Sequence, residues 1–121
     1  MGFIKSTSQI TDRAITVSNL TGGTNGKIVR VNGNNTVTDA AWTDTASQLN
    51  AVLFKQAGVY YAGGVVPGIG GLTAGSVYFL GEFGALTTNP PTPSSTVRVL
   101  FIGFALNTSD LLLRPGIPIS G

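Results

Sequence analysis

The sequence predicts an all-β fold made of short strands. The chain has 17 glycines and six prolines among its 121 residues, so it turns often and has little capacity for long helices. Several segments also alternate with the two-residue period of a strand. Because a typical domain has roughly 100 to 150 residues, we expect a single domain at residues 26–121, either a compact β-sandwich or a small β-barrel-like body.

An extended N-terminal arm is expected at residues 1–25. This segment ends in SNLTGGTN and is polar, with a few isolated apolar residues. A segment of this kind buries little apolar surface of its own, so order in it requires pairing with another surface. We therefore predict an arm in front of the compact domain.

The segment KIVRVNGNNTVTDAAW, residues 27–42, predicts a β-hairpin. Its first half alternates in the manner of a strand, and Thr36–Thr38 favours a return strand because β-branched residues fit a pleated surface. Asn32-Gly33 is the strongest short turn signal in the segment. The hairpin is therefore expected to turn there.

Two interpretations remain open for TDTASQLNAVLFKQAG, residues 43–58. Thr45 and Gln48 have the spacing of a capping box, which predicts a short helix ending at Gly58. Alternatively, Ala51–Lys55 forms a buried strand. The β-rich flanks favour a turn followed by this strand.

The rest of the chain predicts strands separated by turns and one long loop. Three prolines in TTNPPTPSS, residues 87–95, cannot donate to a sheet and indicate an extended surface loop. The glycines of VPGIGGLTAG, residues 66–75, lack the lysine of a phosphate-binding loop and are interpreted as turns that bring a leucine to the core. The predicted strands are Val59–Tyr61, Gly64–Val66, Ser76–Leu80, Thr96–Leu106 and Leu111–Arg114.

The longest predicted strand, TVRVLFIGFAL, is apolar on both faces. Alternation sends Val97, Val99 and Phe101 to one face. Only 10% of the residues are charged, which is little for the surface of a small monomer. We therefore predict a homo-oligomer, although a sandwich that buries both faces internally is the alternative. The candidates for the interface share the other face: Leu100, Ile102, Phe104 and Leu106.

Composition argues against most catalytic chemistry. The chain has no histidine and no cysteine, which excludes Ser-His-Asp and Cys-His sites, disulfides and zinc-thiolate sites. Asp39 and Asp44 flank Trp42, as in some sugar-cleaving sites, but such acids in a polar turn are more often solvated. We predict no enzymatic activity, no cofactor and no metal.

Nucleic acid and membrane partners are also not expected. The sequence pI is about 9.3, but the seven basic residues are scattered along the chain, whereas nucleic-acid binding needs a clustered basic patch. The longest apolar run, VLFIGFAL, is too short to span a bilayer. The start of the chain has no apolar segment of the signal-peptide type, so synthesis in the cytoplasm is expected.

One stretch resembles a module of bacteriophage structural proteins. The order of its short motifs is similar to that in modules of tail fibres, spikes, head fibres and capsid decoration proteins. The stretch is GLTAGSVYFLGEFGALTTNPP, followed by VRVLFIGFALNTSDLLLRPGIPI. The upstream segment from Gly26 is similar as well, so the resemblance covers roughly residues 26 to 119. It implies a virion surface protein, a homotrimer, without catalytic residues.

Within this family, a short chain with a polar arm fits a capsid decoration (cement) protein. We expect it on the outer surface of the head, bound to the major capsid protein, where it stabilises contacts between capsomers. It would be made in the cytoplasm of the bacterial host. The arm residues expected to contact the capsid are its isolated apolar side chains, Phe3, Ile4, Ile10 and Ile15.

Two other functions stay open from the sequence. The chain resembles short tail fibre, spike or baseplate components as well, which implies host-surface binding, with a host glycan held by Trp42, Tyr60 and Tyr61. A carboxylate-dependent depolymerase acting through Asp39 and Asp44 is a third hypothesis.

Overall fold

The computed structural model describes residues 14–121 and confirms the all-β class. It has 44% strand and 6% helix. The elements are β1 (Ile15–Val17), β2 (Thr21–Gly22), β3 (Lys27–Gly33), β4 (Thr36–Asp39), α1 (Ala46–Leu49), β5 (Val52–Gln56), β6 (Val59–Val66), β7 (Val77–Leu80), a 3₁₀ turn (Glu82–Gly84), β8 (Leu86–Thr87), β9 (Arg98–Val99), β10 (Phe101–Ala105), β11 (Leu111–Leu113) and β12 (Ile119–Ser120).

Ten of these strands belong to one mixed sheet in the order β2-β4-β3-β5-β6-β11-β10-β7-β8, with β1 also paired to β6. Strand β6 connects a first half (β2, β4, β3, β5) to a second half (β11, β10, β7, β8). It pairs with β5 and β1 near its start and with β11 at Gly64–Val66. The two halves also meet directly, because Gly84 of the 3₁₀ turn lies against Ile28 of β3.

The predicted hairpin of β3 and β4 is confirmed, but its turn is not at Asn32-Gly33. Strand β3 continues through Gly33, and the chain turns at Asn34 and Asn35, where Asn35 adopts a left-handed backbone with φ 57°. Asparagine tolerates this conformation better than most residues. The later turn lets Val31 pair with Val37, so the two valines lie on the same face of the sheet. A turn at Asn32-Gly33 would have shifted the register and placed them on opposite faces.

Both interpretations of residues 43–58 are partly correct. The capping box is present, because Gln48 N donates to Thr45 Oγ1 at 3.3 Å and Thr45 N donates to Gln48 Oε1 at 2.8 Å. The helix is one turn long, however, and ends at Leu49 instead of Gly58. The predicted strand follows directly as β5.

The core has two clusters, one on each side of the sheet's first half. The main cluster combines residues of both halves, among them Ile28, Phe54, Leu80, Ile102 and Leu111. The smaller cluster lies on the opposite side of β3, β5 and β6 and consists of Val29, Val37, Leu53 and Tyr60. Leu20, from the predicted arm, packs against this smaller cluster, so the end of the arm is part of the folded body.

The predicted strand at residues 96–106 is divided and bulged. It forms β9 and β10, and the pairing of β10 with β7 shifts register between Phe101 and Gly103. A bulge inserts one extra residue and reverses the alternation beyond it. Ala105 therefore lies on the buried face of Ile102, the face to which alternation assigned Phe104, and Phe104 is turned to the outer face beside Val77.

Because of this bulge, the four predicted interface residues do not lie on one common face. Leu100 and Ile102 have no exposed surface and belong to the main cluster. They therefore form the core of this chain instead of a surface that a second copy can contact. Phe104 is half-buried on the outer face, and Leu106 is 46% exposed.

The interpretation of the glycine-rich turns and the predicted proline-rich loop of the second half are confirmed. Leu72 is buried and Leu86 packs against the main cluster, as the interpretation of the glycine-rich turns requires. Residues 88–97 form the proline-rich loop without strand or helix.

Among the described residues, no helix is long and apolar enough to cross a membrane.

Candidate functional surfaces

The outer face of the second half carries a row of apolar side chains. Cross-strand pairing places Val65 of β6 opposite Leu112 of β11, Leu112 opposite Phe104 of β10, and Phe104 opposite Val77 of β7. Directly paired residues point to the same face, and this face is opposite to the main cluster. With strands about 4.8 Å apart, the row is roughly 14 Å long. We call these four residues the apolar row.

The apolar row is only partly covered by its own chain. Val77 is 42% exposed, and the other three side chains are half-buried. Next to it, Phe79 and Phe101 contact each other edge to face, with ring centroids 6.2 Å apart. A continuous apolar patch on a soluble protein marks an interaction surface more often than isolated apolar residues do.

Only part of the predicted capsid-contact arm falls within the described residues. Phe3, Ile4 and Ile10 lie outside them. Ile15 lies on β1, paired with Gly63 of β6, and is 59% exposed. Val17 on the same strand is 39% exposed, so β1 adds two apolar side chains to the surface.

A cleft of about 330 Å³ begins where β1 ends. It is bordered by the segment from Thr16 to Leu20 and by the β5–β6 turn with Tyr60. Its lining contains no charged side chain, so it offers shape and backbone hydrogen-bonding groups but no ionic partner.

The three aromatic residues of the glycan hypothesis do not form one site. Tyr60 is buried in the smaller cluster and its hydroxyl donates to Gly22 O at 2.8 Å. Tyr61 packs against the main cluster, which lies on the other side of the sheet. Trp42 lines a separate cleft of about 150 Å³ together with Phe83. Sequence reasoning found Trp42 but gave no signal for Phe83, which only the fold brings beside it.

Both acids of the depolymerase hypothesis have structural partners. Asp39 accepts from the backbone N and the Oγ1 of Thr24, each at 2.8 Å. Asp44 accepts from Arg30 Nε at 2.9 Å and from Ala41 N at 2.8 Å. These carboxylates hold turns in place, whereas the sequence analysis expected solvated acids in a polar turn. Within residues 14–121, no group of three or more acidic residues is arranged to hold a metal ion.

Comparison with protein families, with curated proteins and with solved structures finds no match for this chain. Its functional interpretation therefore depends on its own surfaces.

Proposed function

We propose that this chain is a non-enzymatic structural protein of a bacteriophage particle, a capsid decoration protein that binds the outer surface of the head as a homotrimer. The observation that supports this proposal is the apolar row, a surface of apolar side chains on a chain in which only 10% of the residues are charged. The resemblance of residues 26 to 119 to phage structural modules supplies the class.

Packing between copies is the role we assign to the apolar row. Covering apolar surface stabilises an assembly by about 25 cal/mol for each Å² removed from water, and obligate interfaces are more apolar than ordinary surfaces. In the proposed trimer the row of each copy meets its neighbour across a three-fold axis. Within each copy, the two halves of the sheet form a sandwich or small barrel-like body around the main cluster.

Attachment to the capsid is assigned to the N-terminal side of the chain. Ile15 and Val17 are exposed on β1, and we assign to the residues before this strand the addition of a strand to a capsid subunit. Avidity then multiplies three weak attachments. The bound trimer would hold neighbouring capsomers together by contacts alone.

The oligomer is tested by a matched pair of valine substitutions. Val77 lies on the apolar row and is 42% exposed, whereas Val31 lies on β3 in the first half and is 41% exposed. We expect Val77→Lys to convert the trimer to monomers and Val31→Lys to leave it intact, measured by light scattering coupled to size exclusion. A monomeric unmodified protein, or equal behaviour of the two variants, contradicts the assignment of the row.

Capsid attachment is tested by a truncation that the fold defines. Because β1 pairs with β6 and Leu20 belongs to the smaller cluster, the deletion must end before β1. Removing residues 1–13 should leave the oligomer intact and abolish binding to purified heads. Unchanged binding of the truncated protein would contradict the arm hypothesis.

The position in the particle is tested by copy number. Quantitative mass spectrometry of purified virions with labelled peptides gives the ratio of this chain to the major capsid protein. A ratio of the same order supports a decoration protein. A ratio lower by one or two orders places the chain at the tail or at one vertex, which supports a short fibre, spike or baseplate component instead.

A further inference from the structure

The cleft between Trp42 and Phe83 has a feature that the packing of the chain does not explain. Phe83 lies in the 3₁₀ turn with φ 55° and ψ 37°, the left-handed region that bulky side chains rarely adopt. Its side chain is nevertheless 74% exposed. Phe83 therefore combines an unfavourable backbone conformation with apolar surface left in water.

The backbone of this turn does have a structural purpose. Gly84, the next residue, is buried against β3, where an added Cβ would lie 2.7 Å from Ile28 O. The left-handed conformation at position 83 allows this close approach. Glycine or asparagine would adopt it with less strain, so the need for the turn explains the backbone and leaves the phenylalanine side chain unexplained.

Both walls of the cleft are held in place by hydrogen bonds. On one side, Trp42 O accepts from Arg98 N at 2.8 Å, and Asp44 holds the turn through Ala41 N. On the other side, Gly81 N donates to Ala85 O at 2.8 Å, which closes the loop that carries Phe83. The backbone on both sides of the cleft is therefore ordered before a ligand binds, which lowers the entropic cost of binding.

The lining of the cleft combines aromatic surface with polar groups at its rim. Besides Trp42 and Phe83, it contains Ala41, Thr43 and the exposed carboxylate side chain of Glu82. The cleft has a volume of about 150 Å³, below the range of about 300–1,000 Å³ typical of pockets that enclose a drug-sized ligand. A small ligand that places one ring in the cleft suits this size.

We propose that this cleft, the Trp42–Phe83 cleft, binds one sugar ring of a carbohydrate. The apolar C–H face of a pyranose packs on aromatic surface, while its hydroxyls donate to Glu82, an acceptor-only group when ionised. Thr43 adds a hydroxyl that both donates and accepts. The open position of Phe83 suits a ring that packs one C–H face against it, whereas a compact organic cation is bound more strongly where aromatic groups enclose and desolvate it.

This inference goes beyond the proposed capsid function and does not depend on it. A decoration protein with such a cleft would display one carbohydrate site for each copy on the particle surface. Absence of sugar binding would leave the oligomer and capsid experiments unaffected, so the two proposals fail separately.

The chain contains a single tryptophan, Trp42, and three tyrosines, so fluorescence excited selectively at tryptophan reports on this cleft. The probes are the methyl glycosides of glucose, galactose, mannose, rhamnose and N-acetylglucosamine, titrated into the full-length protein. We expect a saturable change of Trp42 fluorescence with at least one of them, with a Kd on the order of 1 mM, as suits one ring with few contacts.

Three variants make the test specific. Phe83→Gly keeps the left-handed backbone and should fold with an unchanged or higher unfolding midpoint, while its sugar affinity falls at least tenfold. Phe83→Tyr keeps the ring and should bind within a factor of about three of the unmodified protein. Glu82→Gln removes the charge and should weaken binding severalfold.

Three results would overturn the proposal. The first is no saturable change with any glycoside, and the second is unchanged sugar affinity in Phe83→Gly. The third is a Trp42 response to tetramethylammonium with none to the sugars, which would assign the cleft to an organic cation.

Discussion

Tyr60 is expected to hold the segment Leu20–Thr24 against the sheet, and Tyr60→Phe tests this directly. Tyr60 is 7% exposed, and its hydroxyl donates to Gly22 O at 2.8 Å. Lys55 Nζ donates to the same oxygen at 3.0 Å and to Gly23 O at 3.2 Å. It also lies 5.2 Å from the centre of the Tyr60 ring. The segment is thus held at Gly22 and Gly23 by two side chains from neighbouring strands, and at Thr24 by Asp39 of β4.

The expected loss of stability in Tyr60→Phe is small. The ring remains, so its burial in the smaller cluster and its contact with Lys55 are retained. One neutral hydrogen bond contributes about 0.5–1.5 kcal/mol to the free energy of unfolding. Because Lys55 still donates to Gly22 O, we expect about 0.5–1 kcal/mol. Tyr60→Ala removes the ring as well and should lose about 3–5 kcal/mol, the range for deletion of a buried aromatic side chain.

Urea denaturation and amide hydrogen exchange measure the two parts of this effect. Denaturation gives the global loss, and exchange shows where the change occurs. At 1.4 kcal/mol for each factor of ten, the expected loss corresponds to about two- to fivefold faster exchange at residues 21–24, if these amides open locally. The amides of β10 and β11 should change less.

Two results would refute this reasoning. Unchanged exchange at residues 21–24 in Tyr60→Phe would show that the hydroxyl does not hold the segment. A loss above about 2 kcal/mol would show that Lys55 does not compensate, since a carbonyl left without a donor costs about 1–3 kcal/mol.

Four further substitutions test other parts of the fold by urea denaturation. In Gly103→Ala the new Cβ meets the backbone of β11, so we expect a loss above about 2 kcal/mol; Gly75→Ala, with φ +80° and open space around it, should lose only about 1–2 kcal/mol. An equal loss in the two would contradict the steric explanation. Asp44→Ala removes a salt bridge and a backbone contact and should cost about 2–3 kcal/mol, whereas a solvated Asp44 would give no measurable loss. Thr45→Ala should cost about 1 kcal/mol through the lost cap, and an unchanged midpoint would show that this one-turn helix does not depend on its capping box.

Local patterns in the sequence predicted the parts of the fold that depend on neighbouring residues. The hairpin of β3 and β4 followed from alternation and an asparagine-rich turn, and the capping box followed from Thr45 and Gln48. The turn position was wrong because two adjacent pairs, Asn32-Gly33 and Asn34-Asn35, both suit a tight turn. The choice between them depends on which valines pair across the strands.

Long-range geometry accounts for what the sequence did not predict. The bulge at β10 depends on its register with β7, so alternation alone assigned Phe104 to the face that Ala105 occupies. Phe83 adopts its left-handed backbone because Gly84 packs on β3, a contact between opposite ends of the sheet. No local pattern around Glu82 or Phe83 indicates this contact, and the Trp42–Phe83 cleft was therefore not predicted as a unit.

Strand β6 determines how the chain would carry mechanical load. It is the described strand whose hydrogen bonds reach both halves of the sheet, through β5 and β1 on one part and through β11 on the other. In the proposed capsid role the chain would be under tension, and tension between its halves would cross the pairings of β6 as well as the contact of Gly84 with Ile28. Since those pairings border the main cluster, their rupture would expose that cluster to water at the same moment. The chain would then resist stretching as one unit and yield in one step.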